Sequence, residues 1–328
     1  MSYVGRTRDE ERRMLEGIGV PSFETLLEAV PASVRLKEPL LVDGPLSEIE
    51  LRRRFGAWAG HNESARCASF LGGGCYDHYV PAAVNALAMR SEFATAYTPY
   101  QPEVAQGSLT AIFEFQSLIA ELTGMEVANA SLYDGATATI EAVLLARHQT
   151  GRARVVVAGT LHPHYREVLR TYLEDPQITF VTDRGGQCAP EDLQLALGPD
   201  VAALVYQYPN FFGLLESPHA LNQLAHGAGA LAVAVCDPIA LAVLEPPGCG
   251  PDGLPGADMV VGEGQPLGNS PSFGGPALGF FACRQALVRR MPGRLAAETV
   301  DRDGRRGFVL TLQTREQHIR REKATSNI

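Results

Sequence analysis

The stretch from Ala230 to Gly279 holds the side chains with the most chemical promise, and a gap among them. An apolar run, Leu231 to Cys236, ends on Asp237; a second, Asp258 to Val261, ends in Gly262-Glu263-Gly264-Gln265. A carboxylate at a strand end can hold a protonated ring nitrogen, or it can cap the turn beside Pro238. Covalent work on a carbonyl group would need an amine. The side chain that follows Gly264 is Gln265, and an amide cannot form an imine. The chain has only two lysines, Lys37 and Lys323, neither near this stretch.

Other clusters are weaker taken singly. Ser131-Leu132-Tyr133-Asp134-Gly135-Ala136-Thr137 reads as a strand-to-helix junction whose backbone N–H groups could hold a phosphate. Asp134 counts against that, because its carboxylate would repel one. His162 and His164 stand just before a helix, as capping or surface histidines or as metal ligands without a supporting carboxylate or cysteine. Gln207, Pro209, Asn210 and Phe211 follow a strand, at the edge where open α/β sheets place ligands. Phe70 to Tyr79 is Gly-rich around Gly72, Gly73 and Gly74 and includes His78. It is either a tight turn or a lining for a site, and it lacks the Lys-Ser/Thr pair of a phosphate loop. Tyr97, Tyr100 and Gln101 sit in a segment stiffened by Pro99 and Pro102. Arg294 and Glu298 read as a surface ion pair ahead of a last helix.

The elements that must position these groups follow from periodicity. Helices are expected over 8–18, from Ser22 to Val30, and from the capping box at Ser47–Glu50 to Trp58. Together they make residues 1–60 a helical arm suited to docking. A long helix over Ser108–Leu122 stops at Gly124. From Met125 short apolar strands alternate with helices. The strands are expected at 126–130, 154–158, 178–182, 202–206, 231–236, 258–261 and 278–283, with the helices at 136–148, 165–173, 190–197 and 218–227. This predicts an α/β domain over 61–328 with a seven-stranded, mostly parallel sheet covered on both faces. Only a turn separates the last two strands, so one of them runs antiparallel. Thr311 to Ile328 reads as an Arg/Glu-rich helix. The net charge of −9 argues against general nucleic-acid binding. No apolar run is long enough to span a membrane, and no export signal opens the chain, so the expected location is cytoplasmic. Six scattered cysteines without a CxxC read as reduced, mostly buried thiols, and no metal site is expected.

The layout of Asp237 and Gln265 resembles the large domain of PLP-dependent transferases of type I, the aspartate aminotransferase kind. There an aspartate holds the pyridine nitrogen and a lysine forms the imine. FLGGG-x-YDH, TAYTPYQPEVAQG, IAELTGMEVANASLYDGATA, YPNFFG, VGEGQPLG and PGRL are together similar to the glycine cleavage system P-protein. The likeness is to its N-terminal half, or to the separate first subunit where that protein is split, and it runs over essentially the whole chain. It implies that Gln265 replaces the imine-forming lysine and that Gly135, Ala136, Thr137, Asp237 and Gln265 are a degenerate cofactor site. It implies PLP in a partner, subunit 2, within a heterotetramer, and none bound covalently to this chain. The implied reaction is decarboxylation of glycine, with the aminomethyl group passed to the lipoyl arm of H-protein. This chain alone would be inactive. Its implied contribution to the partner's site is Tyr97, Tyr100 and Gln101, then Gly73 and His78. Family members continue past Ser326-Asn327-Ile328 into a smaller domain, so either the sequence is truncated there or that closing domain is absent. Two other readings stand beside this one: a self-contained PLP-fold decarboxylase, which the missing lysine opposes, and a module binding a PLP-like anion at Ser131–Thr137 as an effector.

Overall fold

The computed structural model describes residues 5–312 apart from 37, 39, 75, 96, 175 and 273. The chain divides into two compact units, Met1–Ser69 and Phe70–Ile328. Both lysines, Cys75 and most of the helix expected from Thr311 lie outside the described residues.

The first unit is helical: α1 (Arg8–Ile18), α2 (Phe23–Leu26) and α3 (Glu48–Gly60). Thr7 with Glu10, and Ser47 with Glu50, form reciprocal capping boxes that set the starts of α1 and α3. Gly19, at φ 83°, closes α1 in the left-handed conformation. The helix expected from Ser22 to Val30 shrinks to the four residues of α2. Ser22 makes no capping bond, whereas α1 and α3 each start on a capping box, so α2 lacks the cap that sets their starts. None of the three helices buries a side chain, and Met14, Ile18, Phe55 and Trp58 are each at least half exposed.

The second unit opens with α4 (Ala82–Ala88), α5 (Ser91–Ala94) and the long α6 (Gln106–Thr123), closed by Gly124 at φ 70°. The alternating part is β1 (Val127–Ala128), α7 (Gly135–Thr150), β2 (Arg154–Ala158), α8 (Pro163–Tyr172), β3 (Ile178–Val181), α9 (Pro190–Ala196), β4 (Val201–Tyr208), α10 (Pro218–Gly227), β5 (Leu231–Cys236), β6 (Met259–Glu263) and β7 (Gly279–Cys283). The sheet runs β1-β7-β6-β5-β4-β2-β3. The ladders β2–β3, β2–β4, β4–β5 and β5–β6 are parallel, and β7 is antiparallel to both β1 and β6. Successive side chains point to opposite faces, so every strand residue must be apolar when both faces are covered. Val155, Val157, Val205 and Val261 pack beneath α7 with Ile140 and Val143. Val156, Leu204, Ala234 and Val260 meet Ile119 of α6 and Leu221 and Ala225 of α10 on the other face.

Two strands escaped the periodicity. β8 (Leu295–Val300) and β9 (Arg306–Thr311) form a separate antiparallel hairpin against α6. Thr311 therefore ends a strand rather than starting a helix. The turn signal lies in Asp301-Arg302-Asp303-Gly304: Gly304 adopts φ 77°, and the Asp301 carboxylate accepts from the Asp303 and Arg305 N–H groups. Glu298 pairs across the hairpin with Arg306 at 2.8 Å, so the ion pair expected with Arg294 does not form.

Candidate functional site at the carboxyl edge of the sheet

A cavity of about 420 Å³ opens where the parallel strands end. This is the edge at which a parallel α/β sheet presents loops and helix N-termini to a ligand. β4 delivers Gln207, β5 delivers Cys236 and Asp237, β6 delivers Glu263, and the loop after β2 delivers His162. Phe211 and Tyr165 wall the sides.

His162 is fixed at three points. Its backbone N–H donates to Gln207 Oε1 at 2.8 Å, its Nδ1 accepts from the His164 N–H, and its Nε2 lies 2.8 Å from the Gly73 carbonyl. An Nδ1 that accepts leaves the proton on Nε2, so the ring is the neutral tautomer that donates to Gly73. Burial lowers its pKa; the Gly73 bond opposes this, and His164 and Arg166 add to it. The unfolded chain binds a proton here that the folded chain refuses, so the His162 contribution is present above the ordinary histidine value near 6.5 and is lost as pH falls below it. A urea-melt series from pH 8 to pH 5 is expected to show that slope, and His162→Gln to flatten it.

The Gly-rich loop supplies the lid over this ring. Gly73 and Gly74 line the cavity, and Gly74 lies at φ 87° where a Cβ would stand 2.7 Å from His162 Nε2. Gly74→Ala is therefore expected to cost about 1–3 kcal/mol of stability and to release the Gly73 bond, read from denaturant melts.

The start of α7 is closed by carboxylates of the chain itself. Asp134 Oδ1 accepts from the Thr137 N–H at 2.7 Å and from the Thr137 hydroxyl at 2.9 Å. Glu263 Oε2 takes the Gly135 N–H at 3.0 Å, while its Oε1 takes those of Gln265 and Leu278 at 2.9 and 2.8 Å. The N–H groups expected to hold a phosphate are thus spent on two negative charges, which would also repel one. A Cβ on Gly135 would sit 2.0 Å from the Tyr165 hydroxyl, so no side chain fits there. Burial, with the Glu263, Asp134 and Asp237 carboxylates adding, pushes the Tyr165 phenol far above its ordinary value and keeps it protonated.

Of the remaining expected residues, Asp237 lines the cavity, and its Oδ1 accepts from the Ile239 N–H in a local turn. Gln265 does not enter the cavity. It opens a short 3₁₀ turn, and its amide donates to the Asn269 carbonyl. Ala136 sits within the first turn of α7. Tyr97 and Tyr100 are 74% and 46% exposed, Gln101 is exposed beside them, and none lines this cavity. His78 is half-buried, and its Nε2 has no hydrogen-bond partner among the described residues. Of the five described cysteines, Cys188, Cys236 and Cys283 are buried and Cys67 and Cys249 exposed.

Two features escaped sequence reasoning. Glu263 carries the N–H ladder just described; its signal was a carboxylate ending an apolar strand beside Gly264. Arg294 donates from Nη2 to the Thr98 hydroxyl at 3.0 Å, a contact across 196 positions that no local pattern encodes.

The residues present do not fit PLP in this chain: Gln265 supplies no amine, and Asp134 and Glu263 hold the helix end that a phosphate would need. The sheet order with its single reversed strand nevertheless defines the large domain of a type I PLP-dependent transferase. Over residues 1–328 the chain matches the family described as glycine cleavage system P-protein, and it belongs to that family. It is 52% identical to the probable glycine dehydrogenase (decarboxylating) subunit 1 of Chlorobium chlorochromatii over 335 residues, covering 100% of this chain and 74% of the relative. The protein of the same name from Moorella thermoacetica is 51% identical over 330 residues, covering 100% and 73%. Among solved structures, an inhibitor-bound glycine decarboxylase (P-protein) of the glycine cleavage system superposes with TM-score 0.84 at 51% identity, over 100% of this chain and 73% of that one. A sphingosine-1-phosphate lyase from Burkholderia pseudomallei, at TM-score 0.55 and 13% identity over 86% of this chain and 67% of its own, shares the fold. Among the described residues no helix is long and apolar enough to cross a membrane.

Proposed function

We propose that this chain is the cofactor-free first subunit of glycine dehydrogenase (decarboxylating) in the glycine cleavage system. It works with a second, PLP-bearing subunit, on which glycine loses CO2 and its aminomethyl group passes to the lipoyl arm of H-protein. The observation that carries this reading is the start of α7: a helix end placed for phosphate, yet closed by Asp134 and Glu263. PLP supplies the electron sink on the partner, and this chain's part is to bind, orient and exclude water around that site.

Tyr97, Tyr100 and Gln101 are the residues we assign to that contribution, with Gly73 and His78 next. The phenols at 97 and 100 are exposed on a segment whose Pro99 is buried, which suits them to a neighbouring subunit's pocket. Two phenols on a stiff segment offer hydrogen bonds to a carboxylate as small as glycine's. Tyr97→Phe and Tyr100→Phe, each in the reconstituted complex, are expected to lower kcat/KM for glycine about ten- to a hundredfold.

The direct test is to co-express the chain with the PLP-bearing subunit and assay glycine–bicarbonate exchange with H-protein. Activity in the complex and none in either subunit alone is expected. Borohydride reduction should leave no pyridoxyl-lysine in this chain, and Gln265→Lys should not by itself create activity. Exchange by this chain alone would overturn the reading.

A further inference from the structure

Arg294 is an arginine without an anion. The backbone around it is rigid. Gly293 lies at φ 83°, with Asn129 Nδ2 2.9 Å from where its Cβ would be. Asn129 Nδ2 donates to the Pro292 carbonyl at 3.0 Å, and the Ala130 N–H donates to the Arg294 carbonyl at 2.8 Å. These bonds tie the residue to the end of β1, at the sheet's carboxyl edge. Its side chain is half-buried, and Nε is sealed from solvent without an acceptor. Nη2 reaches the Thr98 hydroxyl at 3.0 Å, and no carboxylate of the described residues pairs with the guanidinium. Burial lowers its pKa, and the Tyr97 phenol counters this.

A guanidinium taken out of water and left unpaired is costly, and proteins recover that cost by pairing or coordinating the charge. Here the Thr98 hydroxyl is a neutral acceptor, and no carboxylate among the described residues balances the charge. The charge also lies beside Tyr97 and Thr98, in the segment assigned above to the neighbouring site. We propose that Arg294, with Tyr97, forms a binding site for a carboxylate supplied from outside this chain. A guanidinium with free donors suits a planar carboxylate, and Thr98 holds it in place. The carboxylate has two possible sources: the glycine substrate, or an aspartate or glutamate side chain of the PLP-bearing subunit.

The inference rests on the subunit reading above, and the wild-type complex separates the two. If that complex shows no glycine–bicarbonate exchange, the reading itself fails. If it is active, Arg294→Lys and Arg294→Gln are measured in the same complex, with melting temperatures as the folding control. A rise in glycine KM of tenfold or more in Arg294→Gln, with kcat within threefold and a smaller rise in Arg294→Lys, assigns the carboxylate to the substrate. An unchanged KM with a complex Kd weakened at least tenfold assigns it to the partner subunit. Should Arg294→Gln not fold, Arg294→Lys is read alone, because it keeps the charge and loses the planar fork; at least a threefold change in KM or Kd is then expected. Glycine KM and subunit Kd both within twofold of wild type, in a folded variant, would overturn the proposal.

Discussion

Glu263→Ala is expected to lower the unfolding free energy by about 3–6 kcal/mol, because three backbone N–H groups lose a charged acceptor at once. The bonds of 3.0, 2.9 and 2.8 Å from Gly135, Gln265 and Leu278 tie together the start of α7, the turn after β6 and the approach to β7. Water can re-solvate part of this half-buried site, which sets the lower end of the range. Glu263→Gln keeps one acceptor oxygen and should lose about half as much. Urea melts with an unchanged m-value are the measurement. A loss below about 1 kcal/mol would mean that the carboxylate does not organise this corner. The variant should also gain affinity for inorganic phosphate, since Gly135 N–H at the α7 N-terminus is released.

Deleting residues 1–58 is expected to abolish co-purification with the partner subunit while leaving the second compact unit folded. The first unit has no buried residue in α1, α2 or α3, and it exposes Met14, Ile18, Phe55 and Trp58 together with Leu36 and Leu41 at 76% and 105%. Apolar surface on that scale suits an interaction site. Obligate interfaces bury on the order of 2,000 Å² or more, and a helical arm rich in apolar side chains is a means of reaching that area. Gel filtration of the mixed subunits reads the result, with circular dichroism of the deleted chain as the folding control. Unchanged complex formation would place the interface elsewhere.

The scaffold, and its lack of an amine near the second strand's end, could be read from residue types and spacing. β2, β5, α1 and α10 fall where periodicity and caps put them, because their signals are local: apolar runs, Gly19, and Pro218 after Ser217. The reversal of β7 followed from a connection too short for a crossover. The absence of a lysine near Gln265 needed only counting. Local signals also misled. α2 stops at Leu26, lacking the capping box that α1 and α3 each have. The β8–β9 hairpin went unread because its strands alternate weakly and their partner, α6, is distant in sequence. Gln207, Phe211 and Asp237 were legible as strand-end residues, but their assembly with His162 and Glu263 into one site was decided by the tertiary structure. Only the folded sheet brings Glu263 to Gly135 across 128 positions, His162 to Gly73 across 89, and Arg294 to Thr98 across 196. Hydrogen bonds and unpaired charge depend on distances of a few ångströms between such residues, and no spacing along the chain carries that information.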